Sequence, residues 1–449
     1  MRATIRPAGQ PPAVGCARGA RPGRMFPALA SVLLALALAA CSGPILANAP
    51  AERPSAAPRT PAPSTAPDPQ PVVLPRDDGP HDRLTEWWYY TGHLTAADGR
   101  TFGFEYVVFR AERGDFPVSW ASHVAITDES GGRFAYGQRS EIGPQVDHSP
   151  RDASGVPTGF AFSLTGSNLA GASFGAGAAG AGAAGASFGA GTAGVGAAGT
   201  GATGTGAPGT AWSMAGSGGR DTLSALLGPA EAAGSAMPQG FGLQLRMAPL
   251  GPPVLHDGDG WVDFGAAGGS YYYSRTRMAA AGTLVVDGSP VAVTGTAWFD
   301  HQWGDFIAVG GGGWDWFAVN LDDGTDLTVS LVRGADGADS LVYGTLVRPN
   351  GTSEHLARDQ ISVDVLGHWT SPHTGATYPS GWRVRIAGVG LDLVVTPTLR
   401  DQELDTRATT GVVYWEGSQR VTGTNGGRPV TGKGYVELTG YADIPASAP

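Results

Sequence analysis

Short runs in which apolar and polar residues alternate fill most of the chain beyond residue 80. Phe102, Phe104, Tyr106 and Val108 take every second position of one run, and Trp382-Arg383-Val384-Arg385-Ile386 and Tyr435-Val436-Glu437-Leu438 repeat the device. A period of two sends successive side chains to opposite faces of a strand, so these runs predict β-strands. The turns are also written in the sequence. Thr283-Leu284-Val285-Val286 leads through Asp287-Gly288 to Val291-Ala292-Val293, and Trp314 to Leu321 leads through Asp323-Gly324 to Leu327 to Val332. An Asp-Gly pair between alternating runs predicts a hairpin. No helical period is sustained; Ser224 to Ala233 reads as at most a short helical piece. The pattern predicts an all-β chain of antiparallel barrels or sandwiches, divided near Asp305.

Three segments fall outside this pattern. Arg18, Arg21 and Arg24 precede an apolar run from Phe26 to Ala40, which is too short for an ordinary membrane-spanning helix. It ends Leu38-Ala39-Ala40-Cys41-Ser42, similar to the lipobox of bacterial lipoproteins, with residues 1–40 as the signal and a lipid on Cys41. Ser42 after the cysteine directs the expectation to the outer membrane, with the folded part in the periplasm. Residues 41–80 carry a proline every few positions among Ala, Ser and Thr, and read as an extended tether. The N-terminal domain is then expected over 81–305 and the C-terminal one over 306–449. Within the first, residues 167–210 are nearly all Gly, Ala, Ser and Thr and contain Ala170-Gly171-Ala172-Ser173-Phe174-Gly175-Ala176-Gly177 again as Ala184-Gly185-Ala186-Ser187-Phe188-Gly189-Ala190-Gly191. This is read as a disordered loop, expanded by duplication, between strands near Phe160–Leu164 and Trp212-Ser213-Met214. Loop closure cost grows slowly with length, so such an insert is tolerable.

Charge and cysteine content narrow the function classes. The formal charge is −10; five of the 29 basic residues lie before Ala40, so the exported chain holds 24 basic against 39 acidic residues, or −15. No basic patch stands out, which argues against nucleic acid. Cys16 and Cys41 are the two cysteines, one in the leader and one at the lipidation site, leaving no disulfide and no thiol nucleophile.

Six of the twelve tryptophans sit in two distant strings. One is Glu86-Trp87-Trp88-Tyr89-Tyr90-Thr91-Gly92-His93-Leu94. The other is Trp298-Phe299-Asp300-His301-Gln302-Trp303-Gly304, followed by Trp314-Asp315-Trp316-Phe317. Ionisable groups among aromatic rings meet a low dielectric that shifts their pKa values, as in a lined cavity for an apolar ligand; a barrel core with polar residues at its rim would look similar. Gly-x-Ser-x-Gly occurs only inside the low-complexity repeat, as Gly171-Ala172-Ser173-Phe174-Gly175 and Gly185-Ala186-Ser187-Phe188-Gly189, without the strand-to-helix setting of a nucleophile elbow, and the glycine runs lack a phosphate-loop context. A metal site could use His93, His301 and a carboxylate, but no short His-x-His or His-Glu-x-x-His spacing is present, so no metal and no other cofactor is expected.

These strings, together with Tyr414-Trp415-Glu416-Gly417 and Gly434-Tyr435-Val436-Glu437-Leu438-Thr439-Gly440-Tyr441, resemble the AttH/CrtC lipocalin-like family across nearly all of residues 81–449. The resemblance implies two tandem lipocalin-like antiparallel β-barrel domains and an activity similar to carotenoid 1,2-hydratase or to the predicted secreted hydrolases of the family. It places Asp300, His301 and Trp303 in the central cavity region. The hydratase branch uses a Tyr-x-Asp pair further along, whereas Leu327-Thr328-Val329-Ser330-Leu331 holds neither residue, which directs the resemblance to the secreted branch.

Hydration of an isolated alkene needs a protonated acid, cation stabilisation and a base for water. Asp300 or Glu86 is the expected acid and His301 the water base, with Trp87, Trp88, His93, Trp303, Trp314 and Trp316 lining the substrate. Adjacent in sequence, Asp300 and His301 should face opposite sides of their strand. The expected partner is an apolar, isoprenoid or lipid-like small molecule. The alternatives are a non-catalytic carrier of such a ligand and an envelope scaffold with a filled core.

Overall fold

The computed structural model describes residues 67–166, 168–170, 211–306, 311–334 and 336–442. The expected signal, Cys41 and most of the Gly/Ala segment lie outside these residues. The described chain is nearly all strand, in two large antiparallel sheets of 13 and 10 strands. Ser224 to Leu227, read from sequence as possible helix, belongs to the strand Arg220–Leu227, because Asp221, Leu223, Ala225 and Leu227 alternate inward. Helix at this point is one turn, Pro229–Ala232.

In the first sheet the strand Thr85–Ala96 lies between Thr101–Arg113 and Ser289–Gly304. The second sheet repeats that arrangement, with Gly311–Leu321 between Asp326–Gly334 and the final strand Arg428–Thr439. Earliest and last strands therefore pair in both, giving two tandem barrel-like domains. The hairpin of Gly269–Val286 and Ser289–Gly304 turns at Asp287 and Gly288, with φ of 50° and 78°. Two successive left-handed residues make the turn that suits the twist of paired strands. Phe160–Leu164 pairs directly with Trp212–Ser217, Leu164 opposite Trp212, as neighbouring strands of one sheet.

Each sheet buries one face on its own core. Trp88, Phe104, Phe162, Trp212 and Phe299 fill the first, and Phe317, Trp382, Leu393 and Trp415 the second. The strand Thr85–Ala96 departs from simple amphipathic alternation because it is buried on both faces. Its other face, with Tyr89, meets Val107 and Trp298 and packs on Trp316, Ala318 and Tyr435 of the second sheet.

Packing also begins earlier than the expected His81. Asp77 and Asp78 are buried. Asp78 accepts hydrogen bonds from Arg275 (2.7 Å), the Tyr273 hydroxyl (2.5 Å) and the Gly218 amide (2.8 Å). Asp68 accepts from Tyr271 and Arg83. Carboxylates at the end of the proline-rich stretch thus neutralise arginines of the barrel, and residues 67–80 run against it as a strap.

Candidate functional site

The period of two divides the tryptophan strings between two separate polar centres. Trp88 lies opposite His301 and Glu86 opposite Trp303, so Glu86, Trp88, His301 and Trp303 point into the first barrel. Trp87, Tyr89, His93 and Asp300 point the other way, toward Trp314 and Trp316 on the second sheet. Asp300 and His301 accordingly occupy opposite faces.

The inner centre is built on Glu86. Its Oε1 lies 2.7 Å from Nδ1 of His81 and 2.9 Å from Nε2 of His301, and its Oε2 accepts the His81 amide at 2.9 Å. Trp303 stacks on His81 at 4.2 Å and 2°, and Trp88 on His301 at 4.6 Å and 25°, fixing both rings. Burial opposes charge on Glu86, yet the two histidines outweigh it and hold the carboxyl at about 2. Burial pushes His301 below its ordinary value despite Glu86. It also opposes charge on His81, but Glu86 and Asp77 win and raise that group. The expectation that Glu86 supplies a proton is therefore corrected: it is ionised. Among the described residues His81, Glu86 and His301 are the one group of three with donor atoms close enough for a metal ion, all within 4.8 Å of one another.

The outer centre lies between the sheets and holds four carboxyl groups. Asp300 accepts from the Tyr272 hydroxyl at 2.6 Å, the Trp298 indole at 2.7 Å and the Ser274 hydroxyl. Burial raises its pKa to about 6 against the pull of those donors. Glu105 accepts from the Tyr414 hydroxyl at 2.9 Å through one oxygen, while its Oε2 and both oxygens of Glu416 have no hydrogen-bond partner. Glu416 and Glu437 are direct cross-strand neighbours, and Trp316 flanks Glu437 on the other side. Burial, relieved by Tyr414 and reinforced by Glu437, raises Glu105 to about 8. Burial also drives Glu437 to about 7, with Trp314 opposing and Asp300 assisting. Glu416 rises well above the carboxylate range through burial and the repulsion of Glu437 and Glu105. The Tyr89 hydroxyl faces Glu416 without a well-aligned hydrogen bond and eases its carboxyl only slightly back toward charge. Like charges crowded in a dry site cannot all ionise, so this centre stores protons near neutral pH.

Two of these surroundings extend as chains. The ring of His256 touches Ser274 Oγ through Nε2 (2.6 Å) and Thr345 Oγ1 through Nδ1 (2.9 Å), linking Asp300 to the second sheet. His123 Nδ1 bonds the Tyr414 hydroxyl at 2.8 Å behind Glu105. Burial lowers both histidines to about 3, so both are neutral. His93 bonds the Gly434 carbonyl at 3.0 Å and lies in the interface, away from His301.

The expected group of His301, Asp300 and Glu86 is thus split, His301 with Glu86 inside and Asp300 outside. Sequence reasoning missed Glu105, Glu416, Glu437, His81, His123 and His256. Glu416 and Glu437 were within reach, since each sits in an aromatic string and shares the strand face that Tyr414 and Tyr435 take. His256, in a Leu-His-Asp-Gly turn, gives no such signal.

The AttH-like family model matches residues 65–154 and 185–441. Comparison with the curated proteins gives no match. Among solved structures, a candidate AttH from Nitrosomonas europaea is 28% identical, covers 86% of this chain and 100% of its own, and superposes with a TM-score of 0.61. Kievitone hydratase from Nectria haematococca is 15% identical over 82% of this chain and 93% of its own, with a TM-score of 0.54, a likeness of fold. The match extends through both sheets and through both tryptophan strings, and on that evidence the chain belongs to the AttH-like family.

Proposed function

We propose that the chain is a hydratase- or lyase-type enzyme that adds water to, or removes it from, an apolar isoprenoid or lipid-like substrate between its two sheets. One observation carries this reading: buried Asp300, Glu105 and Glu416 and half-buried Glu437 share a tryptophan-lined interface, and three oxygens of Glu105 and Glu416 lack a well-formed hydrogen bond. Buried polar atoms in proteins are nearly always satisfied, and exceptions ask for a partner that the protein does not supply. Burial raises both Asp300, to about 6, and Glu437, to about 7, so the pair can exchange protons near neutrality; we assign Glu437, which faces Trp314 and Trp316, as the donor and Asp300 as the acceptor.

Hydration then runs in balance. Glu437 gives its proton to an alkene carbon, and the cation at the other carbon faces the indoles of Trp298, Trp314 and Trp316. Water attacks that cation and passes its surplus proton to Asp300, and exchange within the cluster returns a proton to Glu437. Dehydration is the reverse. The likeness to kievitone hydratase, a hydratase by name, agrees with this chemistry and does not carry it. Export, lipid attachment at Cys41 and an outer-membrane location stand as part of the proposal, on the leader alone.

The test is mass spectrometry of apolar extracts from the protein purified out of its native envelope, wild type beside Glu437→Gln. A bound compound that gains or loses one water only with the wild type supports the enzyme. The same unmodified compound in both makes the protein a carrier and sinks the reading.

A further inference from the structure

We propose that His81, Glu86 and His301 form a binding site for a divalent transition-metal ion, with zinc the best match to the donor set. The site is on the opposite face of the strand from the acid cluster and is independent of the reaction proposed there. Two imidazoles and one carboxylate are a donor set that zinc favours, and it commonly leaves a fourth position for water.

Three observations support it. First, the donors come from three segments, the strap before the first strand, Thr85–Ala96 and Ser289–Gly304, and still converge on one carboxylate oxygen. Bonds of about 2.1 Å place tetrahedral ligands roughly 3.4 Å apart. The present separations of 2.7 and 2.9 Å therefore need to open by about half an ångström. Second, both rings are already oriented, His81 by its stack on Trp303 and His301 by Trp88. Third, outer groups of the right kind are present. Nε2 of His81 is 3.6 Å from Asp77 Oδ1, the carboxylate-behind-histidine arrangement that fixes a metal-binding tautomer. Arg110 lies 4.0 Å from the other Glu86 oxygen and is itself paired with Asp82 and Glu112, so its charge is balanced.

Entry is past His81, whose side chain is 21% exposed while Glu86 and His301 are fully buried. On binding, Nδ1 of His81 and Nε2 of His301 exchange their hydrogen bonds to Glu86 for bonds to the metal. Each neutral ring then carries its proton on the other nitrogen, Nε2 of His81 toward Asp77 and Nδ1 of His301, and a charged His81 releases one proton. Nδ1 of His301 has no hydrogen-bond partner, so its ring lacks the outer support that His81 has. That deficit sets affinity about 10–100-fold below a fully supported site.

The test uses the full-length chain dialysed free of metal and titrated with Co²⁺, read by its visible ligand-field bands, with bound Zn²⁺ counted by elemental analysis. The expected result is one ion per chain, Co²⁺ displaced by Zn²⁺. His81→Gln keeps a donor toward Glu86 but loses the bands, and Asp77→Asn weakens binding about 10-fold. Absence of stoichiometric binding in the wild type overturns the proposal. So does binding that survives His81→Gln, which would place the ion elsewhere, for instance at the surface pairs His373–Asp401 or His355–Asp257.

Discussion

Replacing Glu105 by glutamine should make the protein more stable in alkali and leave it nearly unchanged in acid. Glu105 is fully buried, and its pKa is raised from 4.5 to about 8. A carboxyl whose folded pKa is raised contributes stability that is fully present below the unfolded value and fades as pH rises to the folded one. Between pH 4.5 and 8 the native state keeps a proton that the unfolded chain has lost, so stability falls by about 1.4 kcal/mol per pH unit from this group alone. Over the window the loss is on the order of 3–5 kcal/mol, the lower end allowing for relaxation around the charge. Glutamine cannot ionise, and its carbonyl still accepts from Tyr414. Neutral histidines obscure the lower half of the window. His123 and His256 have folded values near 3, so they add stability as pH rises toward 6.5. Above pH 6.5 that contribution is complete, and Glu416 and Glu437 are present in both proteins, so the two are compared over pH 6.5–8. Urea unfolding across pH 4–9 should show the wild type losing stability there, with Glu105→Gln shallower by about 1.4 kcal/mol per unit. Equal slopes for the two proteins would mean that Glu105 is solvated or ionised in the native state, and the stored-proton argument would fall with it.

Other consequences of the same packing can be measured directly. A Cβ on Gly103 would sit 2.4 Å from the Tyr435 hydroxyl and 2.8 Å from the Ser418 Cβ, so Gly103→Ala should cost about 1–3 kcal/mol by calorimetry; an unchanged melting temperature would contradict the interface. Asp300→Ala leaves the Tyr272 and Ser274 hydroxyls and the Trp298 indole buried without their acceptor, for a loss of about 3 kcal/mol or more in urea, whereas Asp300→Asn should recover part of it. Asp78→Ala strips the buried Arg275 of its carboxylate and should lower stability by about 3–5 kcal/mol while opening residues 67–80 to trypsin; retained protection would show that the strap is held elsewhere.

The fold was legible because strand alternation and Asp-Gly turns are local signals, and the hairpin at Asp287-Gly288 shows them acting together. The opposite facing of Asp300 and His301 followed from the same period. Partnership was not legible. Nothing in the spacing says that His81 rather than His93 meets His301, since the pairing depends on a strap five residues upstream of Glu86 folding back over the barrel. Nor does alternation reveal that the outward face of Thr85–Ala96 is covered. A tyrosine, a glutamate and a tryptophan on that face read equally well as a solvated rim, and the second sheet decides otherwise. The grouping of His81, Glu86 and His301 was hidden for a related reason, because short-spacing motifs cannot detect residues brought together from segments more than 200 positions apart.

The covering of that outward face bears on how such a protein can evolve. The two barrels are joined by a few residues after Gly304, the shortest seam at which recombination could part them. Yet a first half inherited alone would present Tyr89, Val107, Trp298 and the Glu105 carboxyl to water, and a second half alone Trp316, Tyr435 and Glu416. Neither is a saleable module for gene shuffling. The two halves are therefore bound to be kept together, each serving as the other's cover.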